Sequence, residues 1–256
     1  MKTDGLAESP LPSCLRASYT ASRQSQRYLF PVNDLSHDHV AGSALTARLQ
    51  RVLRHARAEP TRLPEVPEII LYLLNQDFSN AALTDDEARA VLEYPAYWMF
   101  CWASGQVLAR HLLDNPDPVR GRRVLDFGSG SGVAGIAAAI AGAAQVIACD
   151  LDPDARLATR CNAALNNVEI EVRDDFEAIT EPLDIILVAD VLYDRENLAW
   201  LPRFLDRAPT VLLADSRIKD FSMPGYTRLG SRLSTTWPDL DEHNEFRQVN
   251  LYRGSA

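Results

Sequence analysis

From Arg122 onward, short apolar runs alternate with stretches whose apolar residues recur every three or four positions. The runs at 123–127, 145–149, 168–172, 184–189 and 210–214 predict strands. The periodic stretches at 132–142, 153–166 and 195–207 predict the helices between them. Strands that alternate with helices form a mostly parallel, doubly wound α/β sheet. The end differs: 226–233 and 246–252 read as strands with no helix between them, an antiparallel hairpin at one edge. The expected architecture is a Rossmann-like sheet of seven strands.

Upstream the pattern is less regular. Leu45, Leu49, Val52 and Leu53 lie at helical spacing, with Ser43 as the expected N-cap. Pro60, Pro64 and Pro67 impose an extended piece, and Ile69–Leu74 is then either a strand or a short buried helix. Thr84-Asp85-Asp86-Glu87 has the form of a capping box opening a helix through Leu92. An aromatic cluster, Tyr94 to Trp102, precedes a helix carrying Leu108 and Leu112, which Asn115-Pro116 ends. The division is a loosely ordered segment 1–42, a helical extension 43–118 and a core 119–256.

The candidate chemistry starts at Val124-Leu125-Asp126-Phe127-Gly128-Ser129-Gly130-Ser131-Gly132, a strand running into a glycine turn that opens a helix. Gly128 and Gly130 permit backbone torsions that other residues resist and let a ligand approach the main chain. Gly132 and Gly135 let an Ala-rich helix pack closely, and Gly142 is its C-cap. The next strand ends at Asp150, 20 residues after Gly130, where a ribose-binding carboxylate belongs. The dinucleotide fingerprint would need glycine at 133, and Val133 stands there. Asp126, two residues before the first glycine, repels a pyrophosphate and suits a cationic ligand. S-adenosylmethionine (SAM) meets these terms with its sulfonium, ammonium and ribose diol, and Asp126 is placed at the ammonium end, directly or through water.

Three further segments extend the site. After the third strand, either Asp174 or Asp175 is placed to accept from the adenine amino group, with Phe176 over the ring; the other acid is a loop or helix cap. Asp152, before Pro153, is the N-cap of the next helix. Asp190-Val191-Leu192-Tyr193 follows the fourth strand, where open α/β sheets bind ligands, so Asp190 is placed near the transferred methyl group and, with Tyr193, is the candidate catalytic residue. The segment lacks an Asn/Asp-Pro-Pro-Tyr/Phe signature, which favours an amine acceptor over an amide or base-ring nitrogen. Trp102 is expected to wall the cofactor site, since a sulfonium is attracted to aromatic faces. Trp98 divides evenly between that wall and the core.

Composition narrows the partners. The net charge is −9 with no Lys/Arg-rich run, which excludes a protein that tracks a phosphate backbone. No apolar run is long enough to span a membrane. The four cysteines and five histidines show no metal or triad spacing, so no metal is expected and reduced thiols point to the cytoplasm. Arg16, Arg23 and Arg27 among serines hint at a transit peptide, against which Asp4 and Glu8 weigh.

Together these segments resemble the seven-β-strand (class I) SAM-dependent methyltransferases. More narrowly they resemble the family-16 protein-lysine methyltransferases, in particular the electron-transfer flavoprotein β-subunit lysine methyltransferases and their bacterial relatives. The resemblance rests on Pro64–Ile69, Tyr97-Trp98, Trp102–Gln106, Leu112–Pro116, Arg120–Phe127, Asp150–Pro153 and Asp190–Asp194, and runs over about residues 60–215. It implies SAM as cofactor and methyl transfer to a lysine ε-amine of a protein, with the electron-transfer flavoprotein β subunit as a candidate substrate. One departure lies after the fifth strand, where Ala214-Asp215-Ser216-Arg217 replaces a Gly-Asp-Pro-Gly-Arg type segment. The competing expectations are a methyltransferase for a small amine or ring nitrogen and a non-enzymatic SAM-binding module. A nicotinamide oxidoreductase is disfavoured by Val133 and Asp126.

Overall fold

The computed structural model describes residues 36–78, 83–219, 221–240 and 242–255. Most of the 1–42 segment therefore lies outside the described residues. The chain is helical from Ser36, so helix α1 (Ser36–Leu49) begins ahead of the expected cap and Ser43 sits inside it. Val52 and Leu53 follow the helix in a turn closed onto Leu49 and are buried all the same. The extended piece forms β1 (Ala58–Arg62), and Ile70–Leu74 resolves as the strand β2; the two pair antiparallel with Pro60 opposite Tyr72. A two-stranded ribbon is all edge, which is where proline is tolerated in a sheet. Helix α2 (Asp85–Glu93) starts at Thr84 with both halves of the capping box made. Helix α3 (Ala103–Asp114) follows a 3-10 turn at Tyr97–Met99.

The core carries β3 (Arg123–Phe127), α4 (Val133–Ile140), β4 (Gln145–Cys149), α5 (Pro153–Leu165), β5 (Glu171–Arg173) and β6 (Ile185–Ala189). It continues with α6 (Trp200–Arg207), β7 (Thr210–Asp215), β8 (Tyr226–Leu233) and β9 (Gln248–Gly254). The seven strands lie in the order β5-β4-β3-β6-β7-β9-β8. The first five are parallel, and β9 is antiparallel to both β7 and β8. The last strand is thus inserted between β7 and β8, so the hairpin does not simply extend the edge. Chain order reverses between β3 and β6, and open α/β sheets bind ligands over the strand ends at such a point.

Alternation along the strands builds the two faces. Ile185 and Leu187 join one core cluster with α3 and α4, while Ile186 and Val188 join the other with Leu201 and Phe204 of α6. A third cluster packs α1, β2 and Trp98 onto Ala155 and Ala158 of α5. Two boundaries differ from the hydrophobic pattern. The third strand starts at Glu171 because Asn167, left-handed at φ 55°, ends α5 and redirects the chain. The predicted helix 195–207 divides into a 3-10 turn at Arg195–Ala199 and α6, with Pro202 withholding an N–H near the junction.

Candidate functional site

The glycine turn leaves β3 and climbs into α4. Gly128, Gly130 and Gly132 have φ of 67°, 51° and 82°. At Gly132, the N-cap of α4, a side chain would also meet Thr159 Cα at 3.2 Å. This glycine therefore serves torsion as well as the close packing expected of it. At Gly130 an added Cβ would meet only Gly128 O at 4.0 Å, so that turn of main chain stays open to a ligand. Asp150, at the end of β4, ties the turn to its own loop: Oδ2 accepts from Gly130 N–H and Oδ1 from Asp152 N–H, each at 2.9 Å. Burial raises its titration, and those two N–H donors oppose the rise. Helix α5 supports the turn from behind. Thr159 Oγ1 donates to Gly130 O at 3.2 Å, and Asn162 Nδ2 donates to Ser131 O at 2.8 Å while its Oδ1 accepts from Tyr72 N–H of β2. Neither residue was singled out by its sequence position.

Asp126 is drawn into the packing of α4. It is 2% exposed, and its Oδ2 accepts at 2.9 Å from Gly135 N–H in the first turn of α4. Burial pushes its titration up to about 7. The carboxylate therefore caps α4 from within the core, using one of the N–H groups that a helix start leaves without a helical partner.

Asp174 and Asp175 are both exposed, and Asp175 Oδ1 accepts from Glu177 N–H at 2.9 Å, a loop-cap bond. Phe176 belongs to the core. It is buried edge-on against Phe127, Trp200 and Phe204, with centroids 5.4, 5.6 and 5.8 Å away. Asp152 caps α5 by accepting from Asp154 N–H at 2.8 Å, as its position before Pro153 predicts.

Asp190 lies beyond β6 with a left-handed φ of 53°, costly for a non-glycine residue. Its carboxylate is bound from two sides. Oδ2 accepts from Ser104 N–H at 2.9 Å, and Oδ1 accepts from Ser104 Oγ at 2.6 Å and Ser216 Oγ at 3.2 Å. Ser104 is in the first turn of α3, so the acid sits on a helix N-terminus, where negative charge is favoured. Burial raises its titration; the bond from Ser104, Arg217 and the bond from Ser216 act against the rise.

An aromatic wall stands beside it. Trp102 is the N-cap residue of α3, and its Nε1 donates to Tyr97 O at 3.1 Å. The Tyr97 ring lies 5.7 Å from that of Trp102 and 5.5 Å from that of Tyr193, centroid to centroid. Tyr193 is 51% exposed, whereas Trp98 is 1% exposed and belongs to the core beneath α1. Asp215, ending β7 beside Asp190, is 1% exposed; Oδ1 accepts from Arg217 and Ile218 N–H, and Oδ2 has no protein partner. Burial first, and Asp190 second, push Asp215 up to about 7. Arg217 pairs with Glu242, and its Cζ lies 5.9 Å from the Trp102 ring and 4.4 Å from the Phe246 ring. No local signal in the sequence marks Ser104, Ser216, Asp215 or Glu242 as a site residue.

The residues present fit SAM. An open glycine turn, a carboxylate at the end of the neighbouring strand and a helix N-terminus supply acceptors for a diol and donors for a carboxylate. The family model for ribosomal protein L11 methyltransferase (PrmA) matches residues 110–196. A solved structure of ribosomal protein L11 methylase from Lactobacillus delbrueckii subsp. bulgaricus aligns with 59% of this chain and 76% of its own at 20% identity and a TM-score of 0.44. The electron transfer flavoprotein beta subunit lysine methyltransferase of Xenopus laevis is 39% identical over 182 residues, 67% of this chain and 71% of its own. The Homo sapiens enzyme of the same name is 34% identical over 211 residues, 79% of each chain. With that extent of identity laid over this sheet and glycine turn, the chain belongs to the electron transfer flavoprotein beta subunit lysine methyltransferase family and is a SAM-dependent protein-lysine methyltransferase.

Proposed function

We propose that SAM binds along Gly128–Gly132 with its ribose on Asp150 and its adenine toward Asp174, and that the acceptor lysine enters over Asp190 between Trp102, Tyr97 and Tyr193. The observation that carries this reading is Asp190: a carboxylate held in a strained backbone conformation by three hydrogen bonds, at the strand end beside the glycine turn. When bound, SAM supplies an electrophilic methyl carbon. Asp190 and the aromatic wall hold the amine in line with it and exclude water, which is where the rate gain of an aligned displacement arises. Tyr193 closes the mouth of the cleft. Asp126 and the α5 pair Thr159 and Asn162 keep the turn in shape.

The acceptor we propose is the electron-transfer flavoprotein β subunit, on the strength of the names of the relatives. A cytoplasmic setting is part of this reading and is supported by the free thiols of Cys101, Cys149 and Cys161. The test is transfer from tritiated SAM into a lysate of the source cell. A labelled band of that subunit, with the label recovered as methyl-lysine, is the expected outcome. Label in a different protein would discard the proposed acceptor, and label in small molecules alone would discard the amine site as drawn.

A further inference from the structure

We propose that Arg217 sets the protonation state of the incoming lysine amine, its guanidinium opposing the ammonium form that Asp190 alone would stabilise. The inference rests on the reading that the lysine enters beside Asp190, and it answers a difficulty in that reading. Free lysine titrates near pH 10.4, so at neutral pH it arrives as an ammonium without a lone pair. An adjacent carboxylate deepens this, because opposite charge favours the charged form. A nearby cation does the reverse.

Arg217 is that cation. Its guanidinium lies against Trp102 and Phe246, on the aromatic wall that an amine would use. Glu242, from the loop between β8 and β9, holds it there, and Thr236 Oγ1 donates in turn to Glu242. The other charged or titratable groups around it come from separate elements: Asp190 after β6, Asp215 at the end of β7, Tyr97 in the 3-10 turn and, farther out, Lys219 paired with Glu245, which also faces His243. Arg217 opposes the rise that burial gives both Asp190 and Tyr97. Its guanidinium stands at Trp102, so the positive end of the pair is on the wall that the amine would use.

The step balances without a further reagent. The ammonium gives one proton to solvent, the freed lone pair forms the C–N bond, and the electrons of the breaking C–S bond go to sulfur. The product is a methylammonium and a neutral thioether.

The test follows initial rates of methyl-lysine formation in lysate protein, with saturating tritiated SAM, from about pH 6 to about pH 10. SAM affinity is measured in parallel by calorimetry. Arg217→Gln should move the acid limb of the turnover profile up by about one to two pH units. That is roughly a tenfold loss at pH 7 for each unit, with turnover recovered at the alkaline end and SAM affinity unchanged. Arg217→Lys should restore the limb toward the wild-type position. A uniform loss at every pH, or a limb that stays in place, would overturn the proposal. If Arg217→Gln no longer binds SAM, Glu242→Gln decides: leaving the guanidinium uncompensated should move the limb down, and an upward or absent shift rejects the role. Absence of methyl-lysine from the wild type at any pH would overturn the amine site itself, a result distinct from failure of Arg217 alone.

Discussion

The proposed cofactor side is nearly one continuous stretch, Val124 to Asp152, whereas the proposed amine side draws on segments as far apart as Tyr97, Asp190, Asp215 and Glu242. On the first side, three bonds close within that stretch, Gly130 with Asp150, Asp150 with Asp152 and Asp126 with Gly135, while Thr159 and Asn162 of α5 hold the turn from behind. On the second, Ser104 reaches Asp190 across 86 residues and Arg217 reaches Glu242 across 25. A site made of local torsions fails through its backbone. One made of long-range charge contacts fails through single side chains while the fold survives.

The largest effect should come from Gly132→Val. The left-handed torsion and the approach of Thr159 together should cost about 3 kcal/mol, lowering the melting temperature by roughly 6–12 °C. A calorimetric scan matching the wild type would show that the turn is not held by its torsions. Next is Asp190→Asn. Asparagine tolerates the positive φ, so the fold should persist while turnover drops about 30–100-fold and SAM affinity changes less than about twofold. Parallel losses in both constants would erase the distinction between the two sides. Asp150→Ala should do the opposite, weakening SAM binding by more than about tenfold in isothermal titration. Retained affinity there would remove the ribose assignment.

The smallest effect concerns pH. Asp126 has a folded-state titration raised from 3.8 to about 7. Between those values the folded chain holds a proton that the unfolded chain has released. Its contribution to stability is therefore full below the lower value and lost as pH rises through the upper one. Asp215, also raised to about 7, adds a contribution of the same sign. Asp126→Asn should narrow the difference between urea midpoints at about pH 5 and about pH 8, leaving the part due to Asp215 and to the likewise raised Asp150 and Asp190. An unchanged difference would mean that Asp126 is ionised in the fold throughout.

Several elements could be read from the chain directly. The strands at 123–127, 145–149 and 226–233, the capping box at Thr84 and the cap at Asp152 appear where the pattern puts them, because strand propensity and cap chemistry act within a few residues. Misplacements arose where a local signal met a competitor. Ser43 resembles a cap but is passed over by a helix already running from Ser36. Phe176 lies next to the right loop yet finds three aromatic partners in the core. Asp126 has the spacing of a ligand acid and is taken by α4.

The glycine turn, its acid at the second strand end and the seven-strand sheet were written in consecutive residues, since backbone torsion and burial period are properties of short segments. What each carboxylate meets was settled only when the strands were side by side. Asp126 lies near the end of β3 and Asp190 just beyond β6, but one meets an N–H of α4 inside the core, and the other meets Ser104 at the start of α3. The approach of Arg217 to Trp102 likewise depends on β9 lying between β7 and β8, which carries Glu242 to its partner. Charge acts through space, and the spacing between distant segments exists only in the folded chain.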